Sequence, residues 1–163
     1  MLTKMATIDD LVRIGVLELF ALPDDVNRLP LRPLWLSQNL MAYVDGTLAY
    51  HIEQVALRTA YEHLEQFFVD FRCDERIHAT DLRRMLPTGK GVWSMHPPML
   101  RVYGWVPRPH SMVAVCAEFE KATKSDPNLN DNCRNLVLGF IKQHHVTEIF
   151  YGDFRDAFPK ATR

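Results

Sequence analysis

The stretch MLRVYGWVPRPHSMVAVCAEF, residues 99–119, decides the fold of this chain. Its two outer runs are rich in β-branched and aromatic residues, which suit the pleated surface of a sheet. The connection at residues 107–111 is short and polar and carries two prolines. Two such runs around a brief turn predict an antiparallel hairpin with strands at 99–106 and 112–119.

Helices are predicted on both sides of this hairpin. Upstream, apolar residues recur at helical spacing between about Thr47 and Phe71, without an interrupting Pro or Gly. Downstream, Asp126 can cap a helix, and Pro127 suits a first helical position because it has no N–H to leave unpaired. An apolar stripe from Leu129 to Ile141 continues that second helix. Val92-Trp93 predicts a further short strand before the hairpin.

The sequence patterns towards the two ends of the chain allow more than one structural interpretation. The apolar run from Leu11 to Leu22 fits a buried helix or a strand from Val12 onward. The prolines at 23, 30 and 33 predict a loop over 23–34, and Asp45-Gly46 predicts a turn after the apolar run 34–44. The aromatic segment 144–163 is expected to pack on the domain or on a partner.

Together these elements predict one α+β domain over residues 1–163. An antiparallel sheet would pack against helices, as in layered folds of this class. A chain of this length can bury one self-sufficient core. The predicted helices and hairpin lie within 47–143, with an N-terminal extension at 1–45 and the aromatic C-terminal segment at 144–163.

Composition narrows the class of protein. No apolar run approaches the roughly 18 residues that span a bilayer, and the N-terminus does not resemble a secretory signal. We therefore expect a cytoplasmic protein without a membrane partner. The three cysteines, Cys73, Cys116 and Cys133, are far apart, and His144-His145 is the only close histidine pair. This spacing predicts neither a metal site nor a cofactor.

Charge is distributed unevenly along a chain whose net charge is −1. Residues 1–75 carry twelve acids and six Lys or Arg, whereas residues 76–110 carry six Lys or Arg and only Asp81 as an acid. A basic segment of this kind is typical of a surface that faces a polyanion. It is also compatible with an ordinary solvated face.

Several short motifs resemble the RelE/HigB toxin superfamily, and its phage-derived branch most. The order runs from the segment GVWSMH (91–96), through LRVYGW (100–105), to FEKATK (119–124) followed by SDP (125–127). The positions that match the family pattern are Trp93, Arg101, Phe119, Lys121, Lys124 and Pro127. The resemblance covers about residues 47–143.

This resemblance implies an RNA-cleaving toxin, from a toxin–antitoxin system or mobile element, that acts without metal through the 2′-hydroxyl. Such chemistry needs a proton acceptor and cations that stabilise the crowded phosphate. The candidate catalytic residues are Arg101, Lys121, Lys124, His96 and Tyr103. The candidate RNA-binding residues are Arg83, Arg84, Lys90 and Arg108. The implied partners are RNA or the ribosome, an antitoxin protein, and a second copy of the chain.

Each candidate also has a structural interpretation. Arg101 could pair with Glu118 across the hairpin, and Tyr103 could be a half-buried strand residue. His96 could belong to a rigid loop before Pro97 and Pro98, and the basic residues could be ordinary surface charges. Trp93 and Trp105 could stack on bases, although aromatic residues on strands are usually core residues.

Two departures leave a second hypothesis open. The segment Trp93-Ser-Met-His96 lacks an acid and an Arg that the family pattern carries, and Glu120 places a negative charge beside Lys121. The chain also has a pI near 6.6, whereas active toxins of this kind tend to be basic. A non-catalytic phage- or plasmid-encoded modulator that binds another protein is the alternative. Convergence of the cations and His96 on an open surface favours catalysis, and burial of Arg101 against acids favours binding alone.

Overall fold

The computed structural model describes residues 4–48 and 55–160 of the chain. The helices are α1 Ile8–Arg13, α2 Gln38–Ala42, α3 Val55–Cys73, α4 Glu120–Ser125, α5 Pro127–Gln143 and α6 Phe154–Ala157, with a π-helical turn at Tyr43–Leu48 and a 3-10 turn at Thr88–Lys90. The strands are β1 Leu17–Leu19, β2 Leu34–Ser37, β3 Leu82–Arg84, β4 Val92–Met95, β5 Leu100–Trp105 and β6 Met112–Phe119. The α+β class predicted from the sequence is confirmed.

The six strands form one sheet in the order β1-β2-β6-β5-β4-β3. The predicted hairpin is present as β5 and β6, with Leu100 opposite Phe119, and the predicted short strand is β4. The sheet is mixed, whereas the sequence predicted an antiparallel one, because β2 runs parallel to β6. Parallel neighbours need a long crossover, and here the crossover contains α2, α3 and the strands β3, β4 and β5. Sequence patterns report only local pairs, so this pairing left no signal.

Helices cover both faces of this sheet, because side chains along a strand point alternately to opposite sides. Leu100 and Val102 of β5 belong to a core that also contains residues of α2, α3 and α6. Tyr103 and Trp105 belong to a second core with residues of α1 and α5. Trp93 and Trp105 are both fully buried, so the core interpretation of these two residues is confirmed.

The described parts of the N-terminal extension and of the C-terminal segment pack on the domain. The ambiguous segment 11–22 contains the end of α1 and then β1, so each of the two interpretations holds for a part of it. Asp45 and Gly46 lie in the π-helical turn, so the turn predicted there is helical. The aromatic segment packs back on the domain, since Phe158 is buried with its ring against Trp93 and Phe71.

The two predicted helices are present with adjusted bounds. The predicted helix 47–71 corresponds to α3, which starts at Val55; residues 49–54 lie outside the described residues. Helix α5 begins as predicted, with Pro127 in the first turn and the Asp126 side chain accepting from the backbone N–H of Asn128. Among the described residues, no helix is long and apolar enough to cross a bilayer.

Candidate functional site

An open groove of about 560 Å³ lies on the α5 side of the sheet, between α5 and the edge strand β3. Its floor is formed by the ends of β4 and β5, and its walls by α4, the start of α5, and β3 with the loop that follows. Six of the nine predicted site residues line this groove: Arg83, Arg84, His96, Arg101, Tyr103 and Lys124.

Strand register brings the floor residues together. Arg83 on β3 lies opposite Ser94 on β4, and Ser94 lies opposite Tyr103 on β5. Met95 pairs with Val102, so one further step along the register places His96 opposite Arg101. Opposed residues share a face of the sheet. The register therefore places two cations and a histidine on one face of the sheet.

Arg101 is held at the groove wall by an acid of α4. Its side chain is 18% exposed, and its Nη2 lies 2.7 Å from Glu120 Oε1. The same carboxylate oxygen lies 2.6 Å from Nζ of Lys124, whose side chain is 74% exposed. The hydrogen bond from Lys124, followed by the charge of Arg101, lowers the pKa of Glu120. Glu120, not the predicted Glu118, is therefore the ion-pair partner of Arg101.

His96 is neutral at physiological pH. Burial, followed by the charges of Arg101 and Arg83, lowers the pKa of its imidazole to about 4. A hydrogen bond of 2.8 Å joins its Nε2 to the hydroxyl oxygen of the buried Ser94, which fixes the orientation of the ring. A neutral imidazole has a nitrogen lone pair that can accept a proton.

Tyr103 contributes to the site through its hydroxyl and not through its ring. The residue is 1% exposed, and its hydroxyl donates to Asn130 Oδ1 at 2.6 Å. Burial raises the pKa of this phenol well above its ordinary value. Its ring cannot stack on a base from this position, so Tyr103 ties the floor of the groove to α5.

Two further arginines face the groove from its walls. The Nη1 of Arg134, on α5, lies 3.1 Å from Asp131 Oδ1. It also donates to the backbone carbonyl of Leu86, and this hydrogen bond connects the helix to the loop after β3. Arg84 lies on the rim, and its guanidinium donates to the carbonyl of Gly152 in the C-terminal segment. Arg84 thus also anchors that segment.

Three predicted residues lie outside the groove. Lys121 is on the far side of α4, where it lines a separate apolar pocket. Lys90 is exposed in the 3-10 turn before β4. Arg108 lies in the β5–β6 connection, with its guanidinium over the ring of Trp35. Its Nη1 is 3.7 Å from Glu148 Oε1, so Arg108 pairs with an acid at the other end of the hairpin.

Sequence reasoning missed Ser94, Asn130 and Arg134, and it counted Glu120 only as a departure from a motif. Asn130 and Arg134 are four residues apart on α5, which places them on one helix face. That spacing was available in the sequence. The spacing alone does not predict a binding site, because polar residues four positions apart are common on solvent-facing helices.

The described residues contain no group of three or more His, Cys, Asp or Glu side chains that could hold a metal ion. Comparisons of the chain with protein-family models, curated proteins and solved structures found no match. The chemistry of the groove therefore has to be argued from its own residues.

Proposed function

We propose that the groove binds the sugar–phosphate backbone of single-stranded RNA and cleaves it through the 2′-hydroxyl, as in a toxin-like endoribonuclease. The observation that carries this proposal is the arrangement of Arg83, Arg101 and Lys124 around the neutral His96 in one open groove. The positions that resemble the RelE/HigB toxins support it, since Arg101 and Lys124 belong to both sets.

Charge supports a polyanionic ligand. Five cationic side chains line the groove (Arg83, Arg84, Arg101, Lys124 and Arg134), against the two carboxylates of Glu120 and Asp131. Lys and Arg contacts to phosphates provide most of the affinity in sequence-independent binding of nucleic acids. An arginine can also bind two phosphate oxygens at once. The excess of cations therefore suits a chain of phosphates better than a neutral ligand.

The proposed reaction uses His96 as the proton acceptor. Its imidazole takes the proton of the 2′-hydroxyl while the 2′-oxygen forms a bond to phosphorus. The bond from phosphorus to the 5′-oxygen then breaks, and Lys124 or water supplies the proton to the leaving oxygen. Arg101 stabilises the negative charge on the phosphate oxygens. The products are a 2′,3′-cyclic phosphate and a 5′-hydroxyl.

A bound phosphate would improve His96 as a base. The charges of Arg101 and Arg83 contribute to the low pKa of His96 in the free protein. A phosphate placed between these guanidinium groups offsets their charge, and the pKa of the imidazole then rises towards its ordinary value. The base is thus weak in the empty groove and stronger with RNA bound.

The test is cleavage of a single-stranded RNA by the purified protein, followed on denaturing gels with analysis of the product ends. We expect 2′,3′-cyclic phosphate ends, and no cleavage where the RNA carries a 2′-deoxy substitution. Arg101→Ala should lower the cleavage rate about 100-fold, because one lost transition-state contact typically has this effect. The matched control is Arg155→Ala, an exposed arginine on α6 outside the groove, which should cleave at the wild-type rate.

The same experiment can contradict the proposal. Equal rates for wild type and Arg101→Ala, or cleavage that persists at a 2′-deoxy position, would exclude the groove or the mechanism. The corresponding experiment in cells compares growth and transcript integrity after induction of the wild type and of the Arg101→Ala, Lys121→Ala double variant. Growth arrest with cut transcripts, relieved in the variant, is the expected result.

The ion pair between Arg101 and Glu120 favours a second candidate function. It occupies the arginine that catalysis needs, and it leaves a partly buried cation already neutralised. A non-catalytic, phage- or plasmid-encoded modulator on this scaffold would bind a host or ribosomal protein instead of cleaving RNA. This candidate would be favoured if the purified protein formed a stable complex with ribosomes and left RNA intact both in their presence and in their absence.

The biological setting follows from the first proposal. A toxin that cleaves messenger RNA acts in the cytoplasm, on free or ribosome-bound RNA, and needs an antitoxin protein that blocks its groove. An acidic antitoxin segment would compete with RNA for Arg101 and Lys124. We propose such a partner on this charge argument, and a second copy of the chain remains a further candidate partner.

A further inference from the structure

A second pocket lies across α4 from the groove. Met99 and Phe119 contribute its apolar surface, and the other lining residues belong to α4: Glu120, Lys121, Ala122, Lys124 and Ser125. Glu120 and Lys124 line both concavities. The pocket and the groove are therefore neighbours, separated by a single short helix.

The backbone around this pocket holds its apolar residues in place. Phe119, the last residue of β6, lies opposite Leu100 in the hairpin. The backbone N–H of Glu120 donates to the carbonyl of Met99 at 2.9 Å, which ties the start of α4 to the turn before β5. Met99 and Phe119 also pack against the core on the α3 side of the sheet. The pocket is thus formed by the turn before β5, the end of β6 and the start of α4, which are joined by backbone hydrogen bonds.

Met99 adopts an unusual backbone conformation. Its φ of 69° lies in the left-handed region, which long side chains rarely occupy. Such strain is concentrated at functional positions of proteins, where surrounding structure maintains it. Here it places a flexible thioether side chain beside an aromatic ring at the pocket surface.

Charge at the pocket indicates what it accepts. Lys121 is exposed and forms no ion pair with any carboxylate of the described residues. Lys124 lies at the boundary with the groove and is also exposed. Lys124 is paired with Glu120, which also lines the pocket, so Lys121 supplies the uncompensated charge at its edge. A surface of one aromatic ring and one thioether with this ammonium group at its edge suits a flat, uncharged ring that carries a nearby anion. Aromatic side chains beside lysines bind nucleotides in this way.

We propose that this pocket binds the nucleobase next to the phosphate held in the groove. The base stacks on Phe119 with Met99 at its edge, and Lys121 contacts the adjoining phosphate. This inference rests on the proposed binding of single-stranded RNA in the groove. It assigns roles to Lys121 and Phe119, and it predicts that the protein distinguishes an oligonucleotide with bases from a bare backbone.

The test compares two probes of equal charge by fluorescence anisotropy. One is a 2′-O-methyl hexanucleotide, which lacks the free hydroxyl needed for cleavage; the other is the same sugar–phosphate chain without bases. We expect the wild type to bind the first about tenfold more tightly, as stacking of one base typically provides. Phe119→Leu, which keeps an apolar side chain in the core, should reduce this preference to less than about threefold and leave binding of the second probe unchanged.

A second variant tests the same pocket without altering a residue that packs against the core. Lys121→Ala alters only an exposed residue and should weaken binding of both probes about equally, while Lys142→Ala, exposed on α5, should change neither. Equal affinity of the wild type for the two probes would overturn the base pocket and leave the groove proposal standing. Failure to bind either probe would overturn both, and would turn attention to a protein partner for this surface.

Discussion

Two arginine-rich regions of this molecule differ in the balance between their cations and the acids of the chain that surround them. In the loop between β1 and β2, Arg28 pairs with Asp70 and Asp74, and Arg32 donates to the carbonyl of Phe71. Arg72 of α3 donates to the carbonyls of Arg32 and Phe20. These guanidinium groups bind backbone and acids of the chain itself, and they hold an irregular loop against α3.

In the groove, by contrast, the cations exceed the acids, since five cationic side chains line it with only the two carboxylates of Glu120 and Asp131. Arg101 and Lys124 share a single carboxylate, and Arg83 is exposed at the edge strand. The number of basic residues in a region therefore does not tell how much of their charge the chain itself compensates. That compensation depends on how many carboxylates the fold places beside the basic residues.

The largest expected effect is loss of stability in the loop region. Arg32 is 2% exposed, lies 5.6 Å from the centre of the Phe71 ring and binds the carbonyl of that residue. Arg32→Ala leaves a cavity and an unpaired buried carbonyl, so the free energy of unfolding should fall by about 3 kcal/mol. Urea unfolding measures this change.

Arg32→Met is the matched control for packing. Within the described residues, the Nε of Arg32 has no hydrogen-bond partner, so its buried charge is poorly compensated. An apolar side chain of similar length should therefore lower stability by less than about 1 kcal/mol. An alanine variant as stable as the wild type would mean that this arginine does not hold the loop.

The next effect is a dependence of stability on pH that originates in the groove. The pKa of His96 is about 4 in the folded protein and about 6.5 when unfolded, so the unfolded chain takes up the proton first as pH falls. The free energy of unfolding should be constant above pH 6.5 and decrease by an amount of order 2 kcal/mol between pH 6.5 and pH 4.

His96→Asn isolates this contribution, since His110 and His144, whose pKa values are also lowered, remain in the variant. The difference in stability between wild type and variant should shrink as pH falls through this window. A difference that stays constant from pH 7 to pH 4 would show that His96 is not held neutral by the groove.

A smaller effect separates binding from stability at Arg101. Arg101→Ala should weaken binding of a 2′-O-methyl oligonucleotide about tenfold, equivalent to about 1.4 kcal/mol, because one phosphate contact is lost. Its free energy of unfolding should change by less than about 1 kcal/mol, since the ion pair with Glu120 is partly solvated. A decrease in the free energy of unfolding as large as that of Arg32→Ala would mean that Arg101 mainly stabilises the fold.

The smallest effect concerns the acid that Arg101 and Lys124 share. Glu120→Gln removes the negative charge that competes with a phosphate, and should raise oligonucleotide affinity about threefold at low salt. Asp70→Asn, which removes the carboxylate that pairs with Arg28, should leave affinity unchanged. Equal responses of the two variants would mean that net charge, and not the groove, controls binding.

Part of the site was predictable and part was not. Arg101, His96 and Lys124 were predicted from short motifs that resemble the RelE/HigB pattern, and the structure brings all three to the groove. Ser94 and Asn130 were missed, since a serine in a strand and an asparagine in a helix carry no distinctive signal. The pairing of Arg101 was expected across the hairpin at Glu118, its register partner. The ion pair instead reaches Glu120, because α4 turns this residue back over the sheet face.

The strands of the hairpin, the capped start of α5 and the α+β class depend on chemistry within a few residues, such as β-branching, proline geometry and side-chain caps. Sequence alone was sufficient for these. The parallel contact between β2 and β6, the burial of Tyr103 and the excess of cations over acids in the groove depend on residues far apart in the chain. Alternation along a strand tells which residues share a face, but only the packed helices decide which part of that face is covered and which part stays open to a ligand.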